Sequence, residues 1–192
     1  MEKLLYIDAC IRGEESRTLE VATPIVEQLS KTYDVTIICL NDLDLDVMKK
    51  TEVLAKNNGV INEQSLYWAS LVRDADRIVI ASPFWDMSIP AALKVFFEHC
   101  SIFDITFKSD DKTCYGNCKA KKMLYITSRG MDISTGDELD GATSYLKALS
   151  WLWGIGPLQV VAMQNMDYST QEEIEQKIQT AIAEGLEICK TF

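Results

Sequence analysis

Apolar runs of strand length alternate with segments of helical spacing along nearly the whole chain. "KLLYIDA" (3–9), "DVTIICL" (34–40), "RIVIAS" (77–82), "KMLYITS" (122–128) and "LQVVAM" (158–163) read as five strands. Leu19, Ala22, Ile25, Val26 and Leu29 recur at helical spacing over 17–31, and Leu66, Tyr67, Ser70 and Leu71 do so over 62–74. Further helices are predicted over 88–103, 138–153 and 171–189. The strands are near-continuous branched aliphatic runs, the mark of a parallel sheet covered on both faces. Alternation of strand and helix predicts a doubly wound α/β fold, a single domain over 1–192 with sheet order 2-1-3-4-5. An acidic loop at 41–47 leads into weakly patterned sequence, and 104–121 reads as a hairpin insertion.

Composition narrows the function. The chain has 192 residues, 47% hydrophobic and 25% charged, enough for one core. Its net charge of −10 repels phosphate backbones and anionic lipid, so neither nucleic acid nor membrane is an expected partner. No window approaches the apolar length of a membrane span, and "KLLYI" is too short for a signal peptide, closed as it is by Asp8. Cys10, Cys39, Cys100, Cys114, Cys118 and Cys189 are scattered, which suits reduced thiols in the cytoplasm.

In a sheet of this order, ligands bind beyond the carboxyl ends of the strands, where strand order reverses. Three chemically unusual loops fall there: "CIRGEESRT" (10–18), "SPFWDMS" (82–88) and "SRGMDISTG" (128–136). In the first, Ser16, Arg17 and Thr18 open a helix, so free amides, hydroxyls and a guanidinium make a phosphate cradle; ordinary N-capping by Ser16 is the plainer reading. In the second, Pro83 fixes the backbone, and Phe84, Trp85, Asp86 and Met87 offer flat and thioether surface to a planar ring, although Phe84 reads equally as core. In the third, Gly130 permits close backbone approach, and the amides of Ser128, Arg129 and Met131 could meet ring oxygens; a simple glycine turn competes. Neither G-x-G-x-x-G nor G-x-x-x-x-G-K-[ST] is present. A low-molecular-weight tyrosine phosphatase would need C-x5-R-[ST], whereas Cys10 is followed by C-x6-R-T and two glutamates, so Cys10 reads as a small buried residue.

"ESRT", "SPFWDMSIPAALKVFFEHCSIFDITF", "KKMLYITSRG" and "LWGIGPLQVV" resemble the FMN-dependent NADH:quinone oxidoreductase and azoreductase family, of flavodoxin-like fold, over most of the chain. The resemblance implies bound FMN, with Ser16, Arg17 and Thr18 on its phosphate. Pro83, Phe84, Trp85, Asp86 and Met87 would flank the isoalloxazine, the Asp86 amide near N5, and Ser128, Arg129, Gly130 and Met131 would follow the pyrimidine edge. Arg129 would stabilise the reduced ring electrostatically. The implied activity is ping-pong hydride transfer from NADH or NADPH to a small quinone-like or azo acceptor, by a homodimer. An electron carrier of flavodoxin type is the alternative. Departures from the family pattern are Ala9 and Cys10 for serines, Asp86 for asparagine, and Met131 for a second glycine.

Outside the three loops, His99 reads as a polar interface or surface residue, and Cys114 with Cys118 as plain hairpin residues. Trp151 and Trp153 give more apolar surface than a small monomer covers easily.

Overall fold

A computed structural model describes residues 1–192. Strands β1 (Lys3–Asp8), β2 (Asp34–Cys39), β3 (Arg77–Ala81), β6 (Lys122–Ser128) and β7 (Leu158–Met163) form one parallel sheet in the order β2-β1-β3-β6-β7. This is the predicted five-strand order, with a separate antiparallel hairpin of β4 (Phe107–Ser109) and β5 (Cys114–Gly116) inside the expected insertion. The helices are α1 (Arg17–Leu29), α2 (Lys50–Asn57), α3 (Glu63–Asp74), α4 (Ala91–Cys100), α5 (Gly141–Trp153) and α6 (Gln171–Cys189).

Strand side chains alternate faces, and both faces are apolar. Leu5, Ile7, Ile78, Ile80, Met123 and Tyr125 pack with α3, α4 and α5 through Trp68, Val72, Phe96, Phe97, Leu146 and Trp153. Leu4, Tyr6, Val79, Ala81, Leu124 and Ile126 pack with α1 and α6 through Val21, Ile25, Leu29, Ile174 and Ile178. Two buried layers explain why the strand sequences run continuously apolar instead of alternating.

One stretch without an assigned element is filled in, and one expectation is corrected. The weakly patterned stretch contains α2, which buries none of its residues and therefore carries no apolar periodicity to read. His99 is not on the surface of the chain: it is 6% exposed, its Nδ1 2.7 Å from Ser65 Oγ and its Nε2 2.9 Å from the Asp46 carbonyl oxygen. It ties the acidic loop to α3 and α4. Of the two tryptophans, Trp153 is buried and Trp151 is 67% exposed.

Helices α1 and α6 approach closely at Gly185, where a Cβ would lie 2.1 Å from Ile25 Cδ1. Ile25 is fully buried and has nowhere to move. Gly185→Val should therefore overpack this contact and lower stability by about 1–3 kcal/mol, measured by urea denaturation.

Candidate functional site

Parallel pairing brings the carboxyl ends of β1, β3, β6 and β7 to one edge of the sheet. There, Arg12, Ser16, Arg17, Pro83, Phe84, Trp85, Ser128, Arg129, Gly130, Met166 and Asp167 surround a hollow of about 160 Å³. Across Trp85 lies a second hollow of about 620 Å³, lined among others by Asp86, Ile89, Lys94 and Tyr145. The largest cavity, about 1200 Å³, runs between α2, α4 and α5 and meets the second hollow at Lys94 and Tyr145.

Ser16 caps α1, its Oγ accepting from the Leu19 amide at 3.4 Å. Helix geometry leaves the Arg17 and Thr18 amides without an intrahelical acceptor, at the positive end of the dipole. The Arg17 guanidinium donates to the Met166 carbonyl at 3.2 Å and lies 3.6 Å from Asp167 Oδ1. Arg12, which lines the hollow, pairs with Glu15 at 3.6 Å, so the charge of one of the two loop glutamates is partly compensated. The Thr18 hydroxyl is buried and bonded to Ser128 Oγ at 2.7 Å, so the expected hydroxyl contact with a phosphate narrows to its amide.

The loop after β3 closes on itself. Trp85 N–H donates to the Ser88 carbonyl at 2.9 Å and Ser88 N–H to the Trp85 carbonyl at 2.8 Å. Between them Asp86 (φ 48°) and Met87 (φ 66°) are both left-handed, the geometry of a type I′ turn, which favours Asn-Gly. Aspartate also suits the first of these positions, whereas holding methionine at the second costs on the order of 1–2 kcal/mol. The Met87 carbonyl accepts from the Gly141 amide at 3.1 Å, and a Cβ on Gly141 would sit 2.6 Å from that oxygen. Trp85 is 39% exposed, standing between the two hollows, whereas Phe84 is 8% exposed and belongs to the core.

After β6, the Arg129 side chain turns inward. It is 0% exposed, bonded to the Ile133 carbonyl at 2.8 Å and to Asp140 Oδ2 at 2.9 Å, with its guanidinium 5.5 Å from the Phe84 ring centroid. The expected electrostatic contact between this side chain and a ligand is therefore replaced by a structural one. Burial raises the Asp140 carboxyl, but hydrogen bonds from Thr143 and the Gly136 amide, together with Arg129, hold it below the usual range. The amides of Asp86, Met87, Gly130 and Met131 donate to no acceptor in the chain. Met131 itself is 44% exposed beside the hollow.

A fourth loop, 164–170, was not singled out in the sequence. Asn165, Met166 and Asp167 donate backbone bonds to the Met131, Arg129 and Gly130 carbonyls at 2.9, 3.0 and 3.0 Å. A Cβ on Gly130 would meet Asp167 Oδ2 at 2.1 Å, so glycine is required for this approach. The available signal was positional: this polar stretch follows the last strand of the same sheet edge.

Cys10 is 1% exposed with Sγ 3.7 Å from the Ala81 carbonyl. Burial, then the Asp8 charge, pushes its thiol well above the ordinary range, unlike a phosphatase nucleophile. Cys118 is likewise raised by burial, to about 12.

A model of the flavodoxin-like fold family matches residues 2–187. The chain is 32% identical, over the whole of both chains, to an FMN-dependent NADH:quinone oxidoreductase of Clostridium perfringens. The chain belongs to this flavodoxin-like family of oxidoreductases. It is 28% identical over its full length to a protein of the same name from Coprothermobacter proteolyticus. Among solved structures, an azoreductase from Bacillus anthracis str. Sterne superposes with TM-score 0.87 at 17% identity, covering both chains fully. An FMN-dependent NADH-azoreductase from Bacillus anthracis str. Ames Ancestor, in complex with FMN, gives 0.85 at 23% identity over 100% of this chain and 99% of that one. These likenesses agree with the expected α/β flavodoxin-like fold.

Two outcomes are expected from this geometry. Iodoacetamide at pH 8 should label exposed Cys114 and leave Cys10 unmodified in the folded protein, as read by mass spectrometry of the digest. Asp140→Asn should cost about 3–5 kcal/mol at neutral pH by stranding Arg129. Because the Asp140 carboxyl is depressed on folding, its contribution is present above the unfolded value of about 4 and fades as pH falls. The gap between variant and wild type in denaturant titrations should narrow correspondingly in acid.

Proposed function

We propose that the chain is an FMN-dependent NADH oxidoreductase that reduces quinone-like or azo acceptors. The observation that carries this is the convergence of four loops on one hollow, cationic at the α1 end and aromatic at the Trp85 end. The residues fit the group. A phosphate would be held by the Arg17 and Thr18 amides, Ser16 and the Arg12 and Arg17 guanidinia; a planar ring would be held by Trp85 and the Asp86–Met87 turn; the free amides of Gly130 and Met131 suit ring carbonyl and imide positions. When bound, FMN supplies two-electron transfer: NADH, a proton and a quinone become NAD and hydroquinone.

The chain's own residues orient and exclude. Trp85, which lines both hollows, would cover one ring face, and the turn's free amides would serve the ring edge. Arg129 acts through position: its pairing with Asp140 holds the 128–131 loop, and the Phe84 ring rests on it. No side chain at the hollow offers a general acid, so solvent supplies the proton.

The working form is a homodimer in the cytoplasm. Exposed Trp151 and the open apolar groove between α2, α4 and α5 support a second subunit, and six free cysteines support a reducing compartment. No helix is long and apolar enough to cross a membrane. A flavodoxin-type carrier would need a separate reductase, whereas the relatives are named as NADH oxidoreductases.

Purified protein should take up FMN with a flavin absorption spectrum and be bleached by NADH without oxygen. A protein that binds FMN yet stays oxidised would be a carrier. Arg17→Ala should weaken FMN binding by about tenfold or more, the worth of one charge-assisted hydrogen bond, measured by flavin fluorescence titration.

A further inference from the structure

We propose that Asp86 sets the charge class of the electron acceptor: the site accepts neutral or cationic planar acceptors and discriminates against anionic ones. This rests on the oxidoreductase reading and deepens it. Asp86 lines the 620 Å³ hollow that adjoins the Trp85 face, where an acceptor would stack. None of the ion pairs in the chain engages its carboxylate. The other charge on that hollow is Lys94, and its Nζ is 2.5 Å from Glu98 Oε1, so its charge is compensated locally. The uncompensated charge facing an acceptor is therefore negative, in a chain whose overall charge of −10 has the same sign.

The backbone that carries the carboxylate is held in place. The Trp85–Ser88 bonds fix the turn, and the Met87 carbonyl is anchored to the start of α5. Position 86 takes a left-handed conformation that aspartate shares with asparagine, so the turn by itself does not call for a charge. No ion pair within the chain uses its side chain. What it offers is charge.

The test pairs two acceptors of one ring system, a neutral naphthoquinone and its sulfonate, with the FMN-loaded protein and saturating NADH. Each takes two electrons and two protons and leaves as the hydroquinone. Wild type should favour the neutral quinone in kcat/KM. Asp86→Asn, which folds because asparagine suits a left-handed residue, should raise the sulfonate-to-neutral ratio about fivefold. Asp86→Glu should keep the wild-type ratio. Added salt should raise the sulfonate ratio in wild type and have less effect in Asp86→Asn. Dissociation constants from tryptophan fluorescence quenching, measured on oxidised protein without NADH, should shift by a similar factor. Ratios that stay unmoved in both turnover and binding would overturn the proposal. If no form reduces either quinone, the oxidoreductase reading fails, and the binding ratio alone decides the role of Asp86.

Discussion

The buried Arg129–Asp140 pair is the interaction on which the geometry of the rim depends. A guanidinium and a carboxylate, both withdrawn from water, are tolerated only because almost every donor and acceptor finds a partner. Asp140 caps α5 through the Thr143 amide while gripping the arginine that begins the loop after β6. Phe84 lies against the same guanidinium, and its amide is bonded to the Ser128 carbonyl. One ion pair therefore fixes the loop after β6, the start of α5 and the base of the loop after β3.

A polar rim built this way leaves backbone amides free where they are useful. The loop after β7 uses up the carbonyls of Arg129, Gly130 and Met131, while the amides of Gly130 and Met131 remain unpaired. Carbonyls facing inward and amides facing outward suit a ligand rich in acceptors. Arginine does two different jobs around one hollow: Arg17 stays at the surface as a cation, and Arg129 disappears into the scaffold.

Much of this was legible in the sequence, because the strands and most helices carry strong apolar periodicity and end near the residues where it fades. Helix α6 was read at its observed bounds, and β6 and β7 likewise. Helix α2 escaped because it buries nothing, and the burial of His99 escaped because a lone histidine has no period. The three loops were found through strand order, but the roles of Thr18 and Arg129 were not: whether a polar side chain faces ligand or core depends on partners more than 10 residues away in the chain, Ser128 and Asp140. The left-handed pair at Asp86–Met87 was hidden for a related reason: aspartate tolerates that conformation without requiring it, and methionine does not favour it.

The bond between the Met87 carbonyl and the Gly141 amide makes the turn and helix α5 one mechanical body. Trp151, on the same helix, projects into solvent. Whatever binds against Trp151 and tilts α5 would carry the turn with it, moving the surface that covers a bound ring. Contact at one end of a single helix would thereby reach the proposed flavin hollow near the other, without any lid or hinge.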